Sequence, residues 1–136
     1  MKHTVITFLI LTVFIAFGRC QSNKENNNKK KAEITFEEIT FDFGTISKGS
    51  DASHEFIFTN TGKIPLTLEN VKSSCGCTVP SWTKEPIKKR KTGSIKVKYN
   101  SNIIGNFSKS VTVHSNAINS PVILRIKGKV VDQAAA

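Results

Sequence analysis

The sequence predicts an all-β domain, an immunoglobulin-like antiparallel β-sandwich of about seven strands, with a small β-barrel as the structural alternative. Three observations carry this. Apolar and polar residues alternate at period two in segment after segment. No stretch of the domain shows the 3.6-residue period of an amphipathic helix. Clusters of Gly, Asn and Ser punctuate the chain about every ten to fifteen residues.

The first strand region carries Ile34, Phe36, Ile39, Phe41 and Phe43, with Glu37-Glu38 as a bulge or kink that restores the inward phase, and its two halves count as two of the seven strands. It ends at Gly44, and Ser47-Lys48-Gly49-Ser50 is a turn. The next strand, Ser53 to Thr59, points Phe56 and Phe58 inward, and His54 shares their phase. Asn60-Thr61-Gly62-Lys63 turns the chain again. Leu66 and Leu68 alternate, and Val71 breaks phase shortly before Cys75. After Cys77 the sequence reads as irregular, because Pro80 and Pro86 exclude a central strand, and Trp82 is placed to cap one end of the core. Ile95, Val97 and Tyr99 form the next inward stripe, Asn100 to Gly105 a loop, and Phe107, Val111 and Val113 the following strand. Val122, Leu124, Ile126 and Val130 make the last one. The Cys-Trp-Cys arrangement that joins the sheets of antibody domains is missing, since the two domain cysteines are separated only by Gly76.

Upstream of this domain the residues serve another purpose. Met1-Lys2-His3 is a short basic start, followed by an apolar run from Val5 to Phe17 that matches the core of a secretory signal. A membrane-spanning helix needs roughly 17–25 apolar residues, and Gly18-Arg19-Cys20 ends the run too early for one. Residues 1–20 are therefore expected to be a secretory signal. Cys20 stands where a lipoprotein places its acylated cysteine, although Arg19 is bulkier than the small residue usual before it. Cleavage after Gly18 is the competing expectation. Residues 21–32 are polar, cannot offset their ordering entropy by burial, and read as a disordered tether. Residues 33–131 make the sandwich and 132–136 a short tail.

Net charge is +10 over 136 residues. Without Lys2 and Arg19 it falls to 18 basic against 10 acidic side chains. The excess is spread over Lys29 to Lys31, single strand positions such as Lys96, Lys98, Lys109, Arg125, Lys127 and Lys129, and the run Lys88-Lys89-Arg90-Lys91. That run is the candidate contact for anionic lipid headgroups or polysaccharide. Nucleic acid is not an expected partner, because there is no recognition helix and no interleaving of aromatic with basic residues.

Asp42-Phe43-Gly44 with Ile46 and Gly49, Phe56-Ile57-Phe58 with Asn60-Thr61-Gly62, Pro65-Leu66, Ser74-Cys75-Gly76-Cys77-Thr78 with Pro80, Gly93-Ser94-Ile95 with Val97 and Tyr99, Gly105 with Phe107, Ser115-Asn116, and Ile126 with Gly128 form a recognisable set. Together they resemble the bacterial family called domain of unknown function fifteen seventy-three. The resemblance spans nearly the whole domain. It implies an exported immunoglobulin-like sandwich, often tethered as a lipoprotein, and implies no activity. One departure is visible. The family often has a Pro-Gly turn before the strand that starts at Gly93, where this chain has Lys88-Lys89-Arg90-Lys91.

Cys75, Gly76 and Cys77 are the candidate disulfide or thiol site. An oxidising compartment favours joining two cysteines. A disulfide tolerates Cα separations of roughly 4.4–6.8 Å, so on an extended strand the ring closes only if the chain turns at Gly76, the residue free to take positive φ. The closed loop is so short that it adds little stability on the chain-entropy account, while a strained exposed bridge exchanges readily. Against a dedicated oxidoreductase stands the lack of a Cys-x-x-Cys at a helix start. No metal site is expected, because structural zinc wants four ligands and the domain adds only His54 and His114 from distant strands. Two thiolates could hold Cu(I), which accepts soft, low-coordinate sites.

No nucleophile elbow frames the Ser, His and Asp residues, and adjacent Glu37 and Glu38 tend to opposite faces of a strand, so no catalytic residue is assigned and no enzyme is expected. No cofactor is expected. The combined expectation is an exported, membrane-tethered, noncatalytic binding or structural module of the cell envelope, in the periplasm or at the outer membrane. Its partner would be an envelope protein or polysaccharide, with no small-molecule substrate evident. The alternative is a thiol-redox or soft-metal-handling protein centred on Cys75-Gly76-Cys77.

Overall fold

The period-two stripes become two facing sheets in the computed structural model, which describes residues 30–133. The strands are β1 (Ile34–Phe36), β2 (Thr40–Ser47), β3 (Ser53–Asn60), β4 (Leu68–Ser73), β5 (Thr78–Trp82), β6 (Thr92–Tyr99), β7 (Gly105–Ser115) and β8 (Val122–Val131). One sheet has the order β1-β3-β6-β5 and the other β2-β8-β7-β4. Each sheet keeps two free edges, so the molecule is a sandwich and the barrel alternative falls away.

Phe56, Phe58, Ile95 and Val97 from the first sheet and Val111, Val113, Leu124, Ile126 and Val130 from the second are all buried between the sheets. At roughly 1.5–3 kcal/mol for each fully buried large apolar side chain, this interior is the main driving force for the fold. Aromatic stacking adds direct ties across it. Tyr99 of β6 stacks on Phe107 of β7 with centroids 3.8 Å apart, and His54 of β3 stacks on Phe41 of β2 at 3.6 Å.

Several expectations change in the folded chain. The two halves of the first strand region, counted as two of the seven expected strands, lie on different sheets, and the segment after Cys77 is the further strand that raises the count to eight. The residues around Glu37-Glu38 are the crossing between the sheets rather than a bulge within one strand. Because the chain crosses without reversing, β2 runs alongside β8 in the same direction, and this one pairing is parallel where a wholly antiparallel sandwich was expected. Ile39 lies in that crossing and is exposed instead of inward. The segment after Cys77 is the edge strand β5 and is not irregular. Pro80 is tolerated there because β5 pairs only with β6 and its other side needs no amide donor.

Strand directions give the sandwich two ends. β3 finishes and β6 starts at the end where the chain enters, since Thr59 pairs with Thr92 and Ile34 with Asn60. Ala32 is docked there, buried and bridged in parallel to Ala117. Ala32, expected in the tether, is thus packed into the domain. The far end holds the β4–β5 connection, the loop after Tyr99 and the end of β8, because Thr78 pairs with Tyr99 and Gly105 with Val130.

Candidate functional site

The β4–β5 connection carries the two cysteines from an edge strand of one sheet to an edge strand of the other. Local hydrogen bonds hold it. Ser74 donates its amide to Ser110 O at 2.9 Å, and the Ser110 amide returns a bond to Ser74 Oγ at 3.2 Å, which extends the β4–β7 pairing past Ser73. The Cys75 amide donates to Ser73 Oγ at 3.1 Å, and that hydroxyl in turn donates to the Cys75 carbonyl. The amide of Asn100 donates to Cys77 O at 2.9 Å and fastens the turn to the loop after β6.

Within this frame the Cα atoms of Cys75 and Cys77 stand 5.4 Å apart and their sulfurs lie at bonding distance, 1.95 Å. Both cysteines are half-buried, Cys77 against the core, and Gly76 is exposed. One detail of the expectation is corrected. Positive φ occurs at Gly44, Gly49 and Gly105 but not at Gly76, so the ring closes in an ordinary turn that needs no left-handed residue. The turn is marked by the Thr78 amide reaching Cys75 O at 3.4 Å. A hollow of about 270 Å³ lined by Gly76, Cys77, Lys98, Tyr99 and Asn100 adjoins the bridge. Exposed Ile103 and Ile104 follow in the loop that the Asn100–Cys77 bond attaches to it.

Lys109 is the neighbour that strand-by-strand reading missed. Its sequence context is that of the other lysines spread singly along the strands, yet it lies on the same face of β7 as buried Phe107 and Val111 and pairs with buried Ile126. It is half-buried, one residue along β7 from the Ser110–Ser74 contact that fastens the cysteine turn. Its phase with Phe107 and Val111 was the available signal. On β5, Thr78 Oγ1 and Trp82 Nε1 are buried without a hydrogen-bond partner among the described residues. Trp82 packs against the core, and Lys84 Nζ sits 3.1 Å from its ring centroid.

The other candidates do not converge on the cysteines. His54 Nε2 is 2.7 Å from Glu38 Oε1, its ring engaged with Phe41, and His114 is exposed on β7. Among the described residues no three His, Cys, Asp or Glu side chains gather as a metal would require. Lys88, Lys89, Arg90 and Lys91 form an exposed turn at the entry end, opposite the cysteines along the strands. Cys20 lies outside the described residues.

Known structures share this architecture. A protein of unknown function from Porphyromonas gingivalis W83 matches with a TM-score of 0.63 at 16% identity, over 74% of this chain and 47% of that one. This chain therefore spans about half the length of that relative. The PapD-like domain 7 of human CEP192 matches with a TM-score of 0.63 at 8% identity, over 75% of this chain and 87% of that domain. The VesB protease of Vibrio cholerae matches with a TM-score of 0.60 at 14% identity, over 76% of this chain and 33% of the protease. At these identities the likeness shows the fold alone. No curated protein matches the sequence. The model of the family described as "Protein of unknown function (DUF1573)" matches residues 34–130, and the chain belongs to that family.

Proposed function

We propose that this protein is a noncatalytic binding or structural module of the cell envelope, exported by residues 1–20 and held by the polar segment 21–32. The observation that supports it is the placement of the two ends. Ala32 is fixed at one end, so a tether arriving there leaves the cysteine turn and the loop of Ile103 and Ile104 at the opposite end, facing away from the attachment point. Free edges at β1, β5, β2 and β4 are available for strand addition by a partner. Two measurements test the reading. The mature protein from envelope fractions should begin at Arg19 or at a lipid-modified Cys20 by intact mass, and crosslinking in intact cells should trap an envelope component. A full-length chain recovered in the cytoplasm would refute it.

A thiol-exchange role is the second reading, favoured by a half-buried bridge in a surface turn with exposed Gly76 beside it. A partner thiolate would attack one sulfur, forming a mixed disulfide and releasing the other cysteine as thiolate. A second partner thiol would resolve it, so two electrons enter Cys75 and Cys77 and the partner leaves as a disulfide. Equilibration in glutathione buffers reads the potential. A value well below about −300 mV, the range of inert structural bridges, would exclude this role.

A further inference from the structure

The entry end gathers basic side chains from three separate segments. The Lys63 amide donates to Lys31 O at 2.7 Å, and Thr61 to Glu33 O at 3.0 Å, which joins the incoming chain to the turn after β3. The Arg90 amide donates to Asn60 O at 2.8 Å, and the Asn60 amide to Lys91 O at 3.0 Å, which joins the 88–91 turn to the same point. Backbone bonds thus hold Lys31, Lys63, Lys88, Lys89, Arg90 and Lys91 together at one end, all exposed. None of them is in an ion pair among the described residues, and Glu33 enters the network through its backbone carbonyl. An exposed apolar residue is fastened to the same incoming chain. Ile118, 60% exposed, donates its amide to Ala32 O at 2.9 Å, on the strip of chain that precedes Glu33.

We propose that this end docks on an anionic lipid surface, the basic residues meeting headgroup phosphates and Ile118 entering the interface. Exposed cations and an exposed apolar residue at one end match a surface that offers charge first and hydrocarbon beneath it. A soluble polyanion rewards the charges and leaves Ile118 without a role. The proposal rests on the tethered-module reading only for which membrane it meets in the cell. Binding to vesicles does not require export, so either can fail without the other.

The test uses the full chain and vesicles of phosphatidylcholine with or without about one-third phosphatidylglycerol, read by co-sedimentation. The apolar segment near the N-terminus is present in every protein compared, so differences report the folded domain. Two charge-matched variants decide: Lys88→Glu/Lys89→Glu/Lys91→Glu at the entry end, and Arg125→Glu/Lys127→Glu/Lys129→Glu on the exposed face of the second sheet. At about fivefold for each charge removed, the first should lower partitioning to anionic vesicles about a hundredfold or more. The second should lower it less than tenfold, and Ile118→Ser should weaken binding about threefold with charge unchanged. Cooperative thermal melts confirm that each variant is folded. Equal losses in the two triple variants would reduce the effect to net charge and overturn the proposal. So would equal wild-type binding to neutral and anionic vesicles. Full displacement by millimolar inorganic phosphate would assign the cluster to free phosphate and also overturn it.

Discussion

Buried Asn60 accepts at its carbonyl a 2.8 Å hydrogen bond from the amide of Arg90, a residue held at a φ of 64°. The Asn60 side chain works equally hard. Its Nδ2 donates to Ile64 O at 2.8 Å and Ile87 O at 2.9 Å, and its Oδ1 accepts from the Gly62 amide at 3.0 Å. A single amide therefore joins the end of β3 to both following loops. Asn60→Ala leaves Ile64 O and the Gly62 amide without this partner, while Ile87 O keeps the Leu66 amide at 2.8 Å. At about 1–3 kcal/mol for each unsatisfied group the expected loss is about 2–6 kcal/mol. Asn60→Asp should not rescue it, because a carboxylate cannot donate to two carbonyls. Urea unfolding measures both, and a loss below about 1 kcal/mol would remove Asn60 from this role.

Arg90 carries the opposite expectation. A side chain in the left-handed region costs about 1–2 kcal/mol, partly offset on changing to glycine by the greater entropy of the unfolded chain. Arg90→Gly should raise stability by up to about 1 kcal/mol while removing one of the six entry-end charges. A higher melting temperature with weaker vesicle binding is the expected pair of results.

Gly62 is irreplaceable for a different reason. A Cβ there would lie 2.4 Å from both Lys31 O and Glu33 N, which are backbone atoms that cannot rotate aside. Gly62→Ala should cost about 1–3 kcal/mol as overpacking and undock the incoming chain. Limited proteolysis at Lys30 and Lys31, quickened in the variant, is the direct readout. Gly76→Ala is the control, since nothing lies within 4 Å of its added Cβ, and it should change stability little.

Opening the Cys75–Cys77 bridge should cost no more than about 1–2 kcal/mol, because the loop it closes is three residues long. The urea midpoint of the oxidised protein and of Cys75→Ser/Cys77→Ser gives the difference. A loss above about 3 kcal/mol would mean that the bridge is a principal support of the β4–β5 crossing.

Period-two alternation made the core legible, since Phe56, Phe58, Ile95, Val97, Val111 and Val113 each lie buried where their phase put them. The disulfide spacing was legible too, because no other cysteine stands between Glu33 and Val131. What escaped was relational. Asn60 looked like any turn residue, and Lys109 like any surface lysine, because a polar side chain's environment depends on segments far away in the chain.

By itself the sequence determined the fold class, the family and the position of the cysteine pair, since alternation, turn residues and spacing are local properties. Only the tertiary structure decided that β1 and β2 belong to different sheets and that β2 runs parallel to β8. It alone placed Lys31, Lys63 and Lys88 to Lys91 at one end and Cys75 and Cys77 at the other. The reason is physical: strand pairing and sheet packing are settled by long-range hydrogen bonds and shared burial, whose partners no local pattern names.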